Sequence, residues 1–191
     1  MGSSFSASTD ATVILFWKET EEYYTSRGRD SRLRFGSNWT PSEFEDPIYG
    51  KFVNGEQRIM YLKAVLMGDN ETCKKIMNSK DPKEIKKLGR NVAGWDQNKW
   101  DANISNIALT TTFLKFNQNP EMKEWLLSTG DLSIAEASPY DKIWGIGVEW
   151  NDPRAADLSN WDQLGQNILG KALMETRLLL QEGKRPLYLK Y

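Results

Sequence analysis

From Glu56 onward, apolar residues recur at three- and four-residue spacing within short segments, each bounded by a capping or stop residue. Ile59, Leu62, Val65 and Leu66 share one face of a segment that opens at Glu56 and closes at Gly68. Asp81-Pro82 places an N-cap before proline at the first helical position, which predicts a short basic helix over 83–88 with Gly89 as its stop. The spacing predicts a longer helix over 97–116, and another that opens at Pro120 and ends near Thr129-Gly130. A last helix is expected over 168–181, capped by Asn167 and stopped by Gly183. Such repeated punctuation confines most of the chain to short packed helices.

Strand signals are fewer. The run 12–17, rich in β-branched and aromatic residues, and the alternating 132–137 read as strands, and 44–52 reads as short extended pieces. The polar stretch 18–34 is expected to be a surface loop with a helical turn, and 139–165 a loop carrying three tryptophans. The fold expected is α+β and predominantly α-helical, a compact single domain over 11–185 with a small β-sheet. Residues 1–10 are small and polar and read as a disordered leader, and 186–191 as a C-terminal tail. No apolar run approaches the ~20 residues that cross a bilayer, so no membrane association is expected.

Composition narrows the chemistry. Histidine is absent, which excludes a Ser-His-Asp or Cys-His catalytic set and any histidine-ligated metal. The single Cys73 makes neither an intrachain disulfide nor a cysteine-rich metal site, in keeping with the cytoplasm or another reducing intracellular compartment. Acid–base work is left to carboxylates, lysine, tyrosine or water. The net charge of −1 argues against a protein that coats nucleic acid, although a local basic patch stays open. Eight tryptophans among 191 residues suit either a large aromatic core or a pocket that stacks a flat ligand. No phosphate-binding loop, dinucleotide fingerprint or calcium loop is found.

Three constellations can carry chemistry. Glu56, Met60, Lys63 and Met67 lie on one helical face, with Glu56 in the first turn and Lys63 about 10 Å along the axis. The same spacing equally describes two ordinary charges on a solvated face. Asp141 precedes Trp144-Gly145-Ile146-Gly147, where glycines either let backbone approach a ligand or make a tight turn around a buried tryptophan. Gly89-Arg90, Gly94-Trp95 and Trp100-Asp101 offer an arginine and two tryptophans able to pair a phosphate and stack a base, or to pack the core.

Taken in order, these pieces form a longer series. Leu15-Phe16-Trp17, Ser37-Asn38-Trp39, Gly55-Glu56-Gln57 with Lys63-Ala64, and Asp81-Pro82 leading to Gly89-Arg90 come first. Trp100-Asp101, Lys115-Phe116 with Gln118-Asn119-Pro120, and Thr129-Gly130-Asp131 follow. Glu136-Ala137-Ser138-Pro139 with Asp141 and Ile143-Trp144-Gly145-Ile146-Gly147, and Gly165 with Asn167, Leu169-Gly170 and Ala172-Leu173-Met174 complete it. Over about 15–177 the chain resembles the NADAR superfamily, named for NAD and ADP-ribose.

The resemblance implies a mostly helical α+β domain and a metal-independent glycosidase without a cofactor. The bond cleaved would join the anomeric carbon of a ribose to an exocyclic amine. One branch of the family removes ADP-ribose from guanine bases, countering an ADP-ribosylating toxin. Another acts on phosphoribosylamino-pyrimidine intermediates of riboflavin synthesis. The first branch is the expectation here. Its partners would be an ADP-ribosyl or phosphoribosyl moiety, free or on DNA or RNA, and a non-catalytic ADP-ribose-binding module is the alternative of another class.

Residue by residue, the resemblance marks Glu56, Lys63 and Asp141 as catalytic. Trp17, Asn38, Arg90, Trp100, Trp144, Gly145, Gly147 and Asn167 are expected to bind substrate. Lys63 would form a transient Schiff base, with Glu56 or Asp141 moving protons; direct water attack is the rival route. Two departures stand out: Gln57 where many members carry histidine, and Trp39 in place of phenylalanine. Trp125 and Trp161 are left to the core or surface. Arg27, Arg29, Arg32 and Arg34, opposed only by Asp30, are the candidate nucleic-acid contact.

Overall fold

The computed structural model describes residues 13–191. The expected leader 1–10 therefore lies outside the described residues. Strand β1 (Val13–Phe16) pairs in parallel with β4 (Ser133–Glu136), with Phe16 opposite Glu136. A separate antiparallel hairpin joins β2 (Phe44–Asp46) to β3 (Gly50–Phe52). The expected single small sheet is thus two two-stranded sheets, because the strands pair far apart in the chain and never meet.

Helices supply the bulk. α1 (Glu21–Thr25) and a 3₁₀ turn (Ser31–Gly36) fall in or run on from the stretch 18–34 expected as a surface loop with a helical turn, yet Tyr24 and Leu33 from it are buried core residues. Then come α2 (Gly55–Met67), α3 (Asn70–Asn78), α4 (Pro82–Arg90), α5 (Gln97–Asp101), α6 (Ile104–Gln118) and α7 (Pro120–Ser128). After β4 a long irregular segment holds a short α8 (Trp161–Leu164), and α9 (Ile168–Gln181) closes the order. One apolar cluster gathers Ile59, Leu62, Ile76, Ile85 and Ile107 from α2, α3, α4 and α6. A second gathers Phe16, Tyr24, Phe116, Trp125, Leu126, Ile134 and Leu173 around the parallel strands and α9. Trp144 packs against both.

Several sequence expectations are corrected by packing. Helix α3 carries few apolar residues, Cys73 and Ile76 chief among them, so its periodicity is too weak to announce it; Asp69 caps it by accepting from the Thr72 amide at 3.0 Å. Gly89 is not a stop. It lies inside α4, and a Cβ there would run into the Met60 side chain, so glycine lets α4 lie close on α2. The helix expected over 97–116 breaks at Asn103 (φ −120°), whose side chain donates to the Lys99 carbonyl at 2.7 Å and competes with the helical backbone. The C-terminal residues 186–191 touch the rest of the domain: the Tyr191 amide donates to the Tyr49 hydroxyl at 2.8 Å, and Asn106 donates to the Leu187 carbonyl.

Buried polar groups are clamped. Arg58 and Asp46 form an ion pair at 2.7 Å, both nearly solvent-free, and Arg58 also donates to the Thr110 and Thr111 hydroxyls. Lys115 is wholly buried and donates to the Phe35 and Ser37 carbonyls at 2.6 and 2.7 Å. Burial lowers its pKa to about 7. The strut holds the Phe35–Ser37 chain against α6, next to the site described below. Among the described residues no helix is long and apolar enough to cross a membrane.

Candidate active site

At the ends of β1 and β4 that emit Trp17 and Glu136, a cleft of about 300 Å³ opens between the strands and helices α2 and α4. An adjoining hollow of about 280 Å³ shares Ser37, Trp39, Lys86, Arg90, Glu136 and Asp141 with it. Helix α2 contributes Glu56, Met60 and Lys63, successive positions of one face pointed inward. Its start is fixed locally: Asn54 caps it through the Gln57 amide (2.9 Å), and the Glu56 amide donates to the Asn38 carbonyl at 2.9 Å. Gly55 permits this, since a Cβ would lie 2.6 Å from Asn38 Oδ1.

The charges are set by burial and by one another. Glu56 is 6 % exposed, and burial raises its carboxyl pKa; Asp141 pushes the same way, while Lys86, the Trp39 side chain and Arg90 pull it down. Glu136 is pushed up to about 8, first by desolvation, then by Asp141 and Glu56, against Lys86. At neutral pH Glu136 is thus chiefly the neutral acid. Burial lowers the Lys63 amine, with Arg90 adding to the effect and Glu56 opposing it. Its ammonium sits 4.3 Å from the Trp95 ring centre and 5.7 Å from that of Trp100, two rings tilted against each other. Among the described residues, three buried side-chain oxygens lack a hydrogen-bond partner: Asn38 Oδ1, Glu56 Oε1 and Glu136 Oε2. All three residues line this cleft. A buried acceptor left without a partner is costly, so three at one place mark a surface shaped for a guest.

The structure brings together Glu56, Lys63, Asp141, Asn38, Arg90, Trp100 and Trp144 in the cleft, and puts Trp17 in the adjoining hollow. Asp141 also folds the loop that carries Trp144, because its Oδ1 accepts from the Ile143 and Trp144 amides at 2.9 and 2.8 Å.

Three expected binding residues lie outside the cleft lining. Asn167 is buried; its Oδ1 accepts from the Glu136 amide at 3.3 Å and its Nδ2 donates to the Ile134 carbonyl at 2.9 Å, so its amide is spent on the edge of β4. Gly145 and Gly147 do not line the cleft. A Cβ on Gly145 would strike the Glu136 carbonyl, and one on Gly147 the Lys142 side chain, so these glycines serve chain-on-chain packing.

Glu136, Trp39 and Lys86 line the cleft and are absent from the expected set, and Trp95, offered with Trp100 as a ring able to stack a base, lines it as well. Glu136 stands in the motif around Asp141, but no local spacing marks it, because its burial and its partners Lys86 and Glu56 come from residues far away in the chain. Gln57 turns away: it accepts from the Val53 amide and donates to the Ile76 and Ser79 carbonyls. Gln57 is therefore a strut between α2 and the end of α3.

The arginine-rich segment is also spoken for. Arg29 donates to the Leu15 carbonyl and lies 4.5 Å from the Trp150 ring centre, and Arg32 is chelated by Asp30. Arg34 donates to the Ser31 carbonyl, and Arg27 donates to the Tyr23 carbonyl and covers its ring. Trp125 and Trp161 are buried in the core. A larger groove of about 840 Å³, bordered by Asp101, Ser105, Lys142, Lys171 and Glu175, holds none of the unpaired oxygens. Among the described residues no three Cys, Asp or Glu side chains group as a metal-holding set.

Comparison with known proteins adds an independent line. The chain is 37 % identical over 166 residues to an N-glycosidase of Acanthamoeba polyphaga mimivirus, covering 83 % of this chain and 96 % of that one. It is 29 % identical to a riboflavin biosynthesis protein of Vibrio vulnificus, over 64 % of this chain and 30 % of that protein. The solved structure of the Escherichia coli protein YbiA shares the fold, with a TM-score of 0.71 at 18 % identity over 94 % of this chain and 91 % of that one. The NADAR domain model matches residues 15–181, nearly the whole described chain, and this protein belongs to the NADAR family.

Proposed function

We propose that this protein hydrolyses the bond between a ribose and an exocyclic amine, and that its substrate is ADP-ribosylated guanine. The observation that carries this reading is the meeting of three unpaired buried oxygens with the half-buried Lys63 amine in one cleft. The name of the mimiviral relative, an N-glycosidase, supports the same class of reaction.

The residues divide the work as follows. Glu136, carried protonated, donates its proton to the ribose ring oxygen, and the ring opens to an iminium between the anomeric carbon and the base amine. Neutral Lys63 attacks that carbon, and the base leaves as its free amine once a proton is returned to it. The resulting lysine Schiff base takes up water, with a carboxylate accepting the water's proton, and hydrolysis frees the aldehyde sugar and restores Lys63. The net reaction consumes one water. Glu56 is the second proton carrier; burial raises the pKa of both glutamates, and the charge of Asp141 adds to it.

The extent of the cleft supports a substrate with a flat ring at each end. Trp95, Trp100 and Trp144 stand on one side of the carboxylates, and Trp17 and Tyr140 on the other. Arg90 and Lys86, shared by both halves, suit a diphosphate. A phosphoribosylamino-pyrimidine substrate is the second reading, favoured by the relatives named as riboflavin biosynthesis proteins. Offering ADP-ribosylated guanosine and the phosphoribosylamino-pyrimidine side by side, with mass detection of the released sugar phosphate, tests both. Retention of ADP-ribose without turnover of either would leave only a binding module.

A further inference from the structure

Helix α4 is amphipathic in an unusual sense. Ile85 and Gly89 are buried, and four of the other seven residues are cationic: Lys83, Lys86, Lys87 and Arg90. Lys86 and Arg90 reach the cleft, whereas Lys83 and Lys87 are exposed beside it. The nearby carboxylates are occupied. Asp81 caps the helix at the Lys83 amide, and Glu84 accepts from the Ser79 hydroxyl at 2.5 Å. Among the described residues none of these α4 cations sits in an ion pair. From Lys80 to Arg90 there are five cations and two carboxylates, a local +3; the other 20 cations and 24 carboxylates leave the rest of the chain at −4. Positive charge is thus concentrated on one of the helices that border the cleft, with Glu19, Glu136 and Asp141 the carboxylates lining the outer hollow. Exposed rings stand at the same mouth, Tyr140 at 87 % and Trp95 at 42 % exposure.

Resting on the ribosyl-amine hydrolase reading of the cleft, we propose that the outer face of α4 is the track for the phosphodiester backbone of a single-stranded nucleic acid whose modified base enters the cleft. A row of cations beside exposed aromatic rings is the arrangement that holds an unpaired strand: phosphates meet the cations and bases meet the rings. A base within a duplex would first have to leave its stack to reach carboxylates buried this deeply. Lys83 and Lys87, one helical turn apart at about 6 Å, lie along the helix in line with Lys86 and Arg90. This surface is distinct from the arginine-rich segment 27–34, where Arg29 and Arg34 donate to backbone carbonyls and the exposed Arg32 pairs with Asp30.

The test is the double variant Lys83→Glu/Lys87→Glu, compared with the wild type on ADP-ribosylated guanosine and on a single-stranded oligonucleotide carrying that base. Turnover of the nucleoside should stay unchanged, which also reports correct folding. kcat/KM on the oligonucleotide should fall about tenfold or more, and the slope of its logarithm against the logarithm of salt should flatten by about 1.4, the loss of two phosphate contacts. An Arg32→Glu control should lose nothing. Equal effects on both substrates, or none on the oligonucleotide, would overturn the proposal. If the wild type turns over neither substrate, the hydrolase reading fails separately, and binding of an unmodified single-stranded oligonucleotide by fluorescence anisotropy then decides: weakening in the double variant sustains the surface, and no difference overturns it. Binding to anionic vesicles without binding to the oligonucleotide overturns it as well.

Discussion

Glu56 and Asn38 are joined through their backbones, the Glu56 amide donating to the Asn38 carbonyl at 2.9 Å, while each leaves a buried side-chain oxygen without a partner. A main-chain bond thus ties the loop to the first turn of α2, and one carboxylate oxygen of Glu56 and the amide oxygen of Asn38 are kept in reserve. Reserve of this kind costs stability and is retained where a ligand collects it.

Glu56→Ala should remove a proton carrier and lower kcat by about a hundred- to ten-thousand-fold, with substrate binding largely kept. Steady-state kinetics beside calorimetric titration with ADP-ribose reads both quantities. Unchanged turnover would remove Glu56 from the mechanism.

Glu136 predicts the pH behaviour. With its pKa pushed up to about 8 in the folded protein, it is the required acid below that pH, so kcat should fall as pH rises through about 8. Stability has the matching sign. A carboxyl raised on folding binds its proton more readily in the native state, so stability is lost as pH rises from the ordinary carboxylate range through about 8. Glu136→Gln should abolish the alkaline limb of the rate profile along with most activity. It should also raise Tm relative to wild type most above pH 8, as scanning calorimetry across pH would reveal.

Lys63→Arg keeps a cation over Trp95 and Trp100 but removes the primary amine that forms a Schiff base. Turnover should vanish with the fold and ligand affinity retained. Borohydride added during turnover should leave a sugar adduct on Lys63 of the wild type, mapped by peptide mass. A turning-over enzyme that yields no adduct would favour direct attack by water.

Gly89→Ala tests how α4 is seated. Alanine suits a helix interior better than glycine by about 1 kcal/mol, yet its methyl group collides with Met60. Overpacking of this kind costs about 1–3 kcal/mol, so a lower Tm is expected, with reduced activity because Met60, Lys86 and Arg90 line the cleft. A raised Tm would show that Met60 gives way freely.

Much of the frame is legible in the residues. The capped segments that form α2, α4, α7 and α9 rest on periodicity and punctuation, which are local properties. The edges that fail are those where a distant neighbour overrules the local signal. Gly89 reads as a stop because glycine ends helices, but here it accommodates Met60. Gly145 and Gly147 read as ligand-facing because glycine admits a close approach, and the approaching groups are the Glu136 carbonyl and the Lys142 side chain. Asn167 reads as a cap, and its side chain instead bonds across to β4. Helix α3 is silent because its few apolar contacts gather no full stripe.

The sequence by itself determined that no imidazole takes part, that family membership spans nearly the whole chain, and that Glu56 and Lys63 share a helical face. Tertiary structure alone decided that Glu136, Trp39 and Lys86 join them, and that Glu136 holds its proton near neutral pH. Helical spacing acts over a few residues of chain. Desolvation and Coulomb fields act through space, between groups as distant in the chain as Lys86 and Glu136 or Glu56 and Asp141.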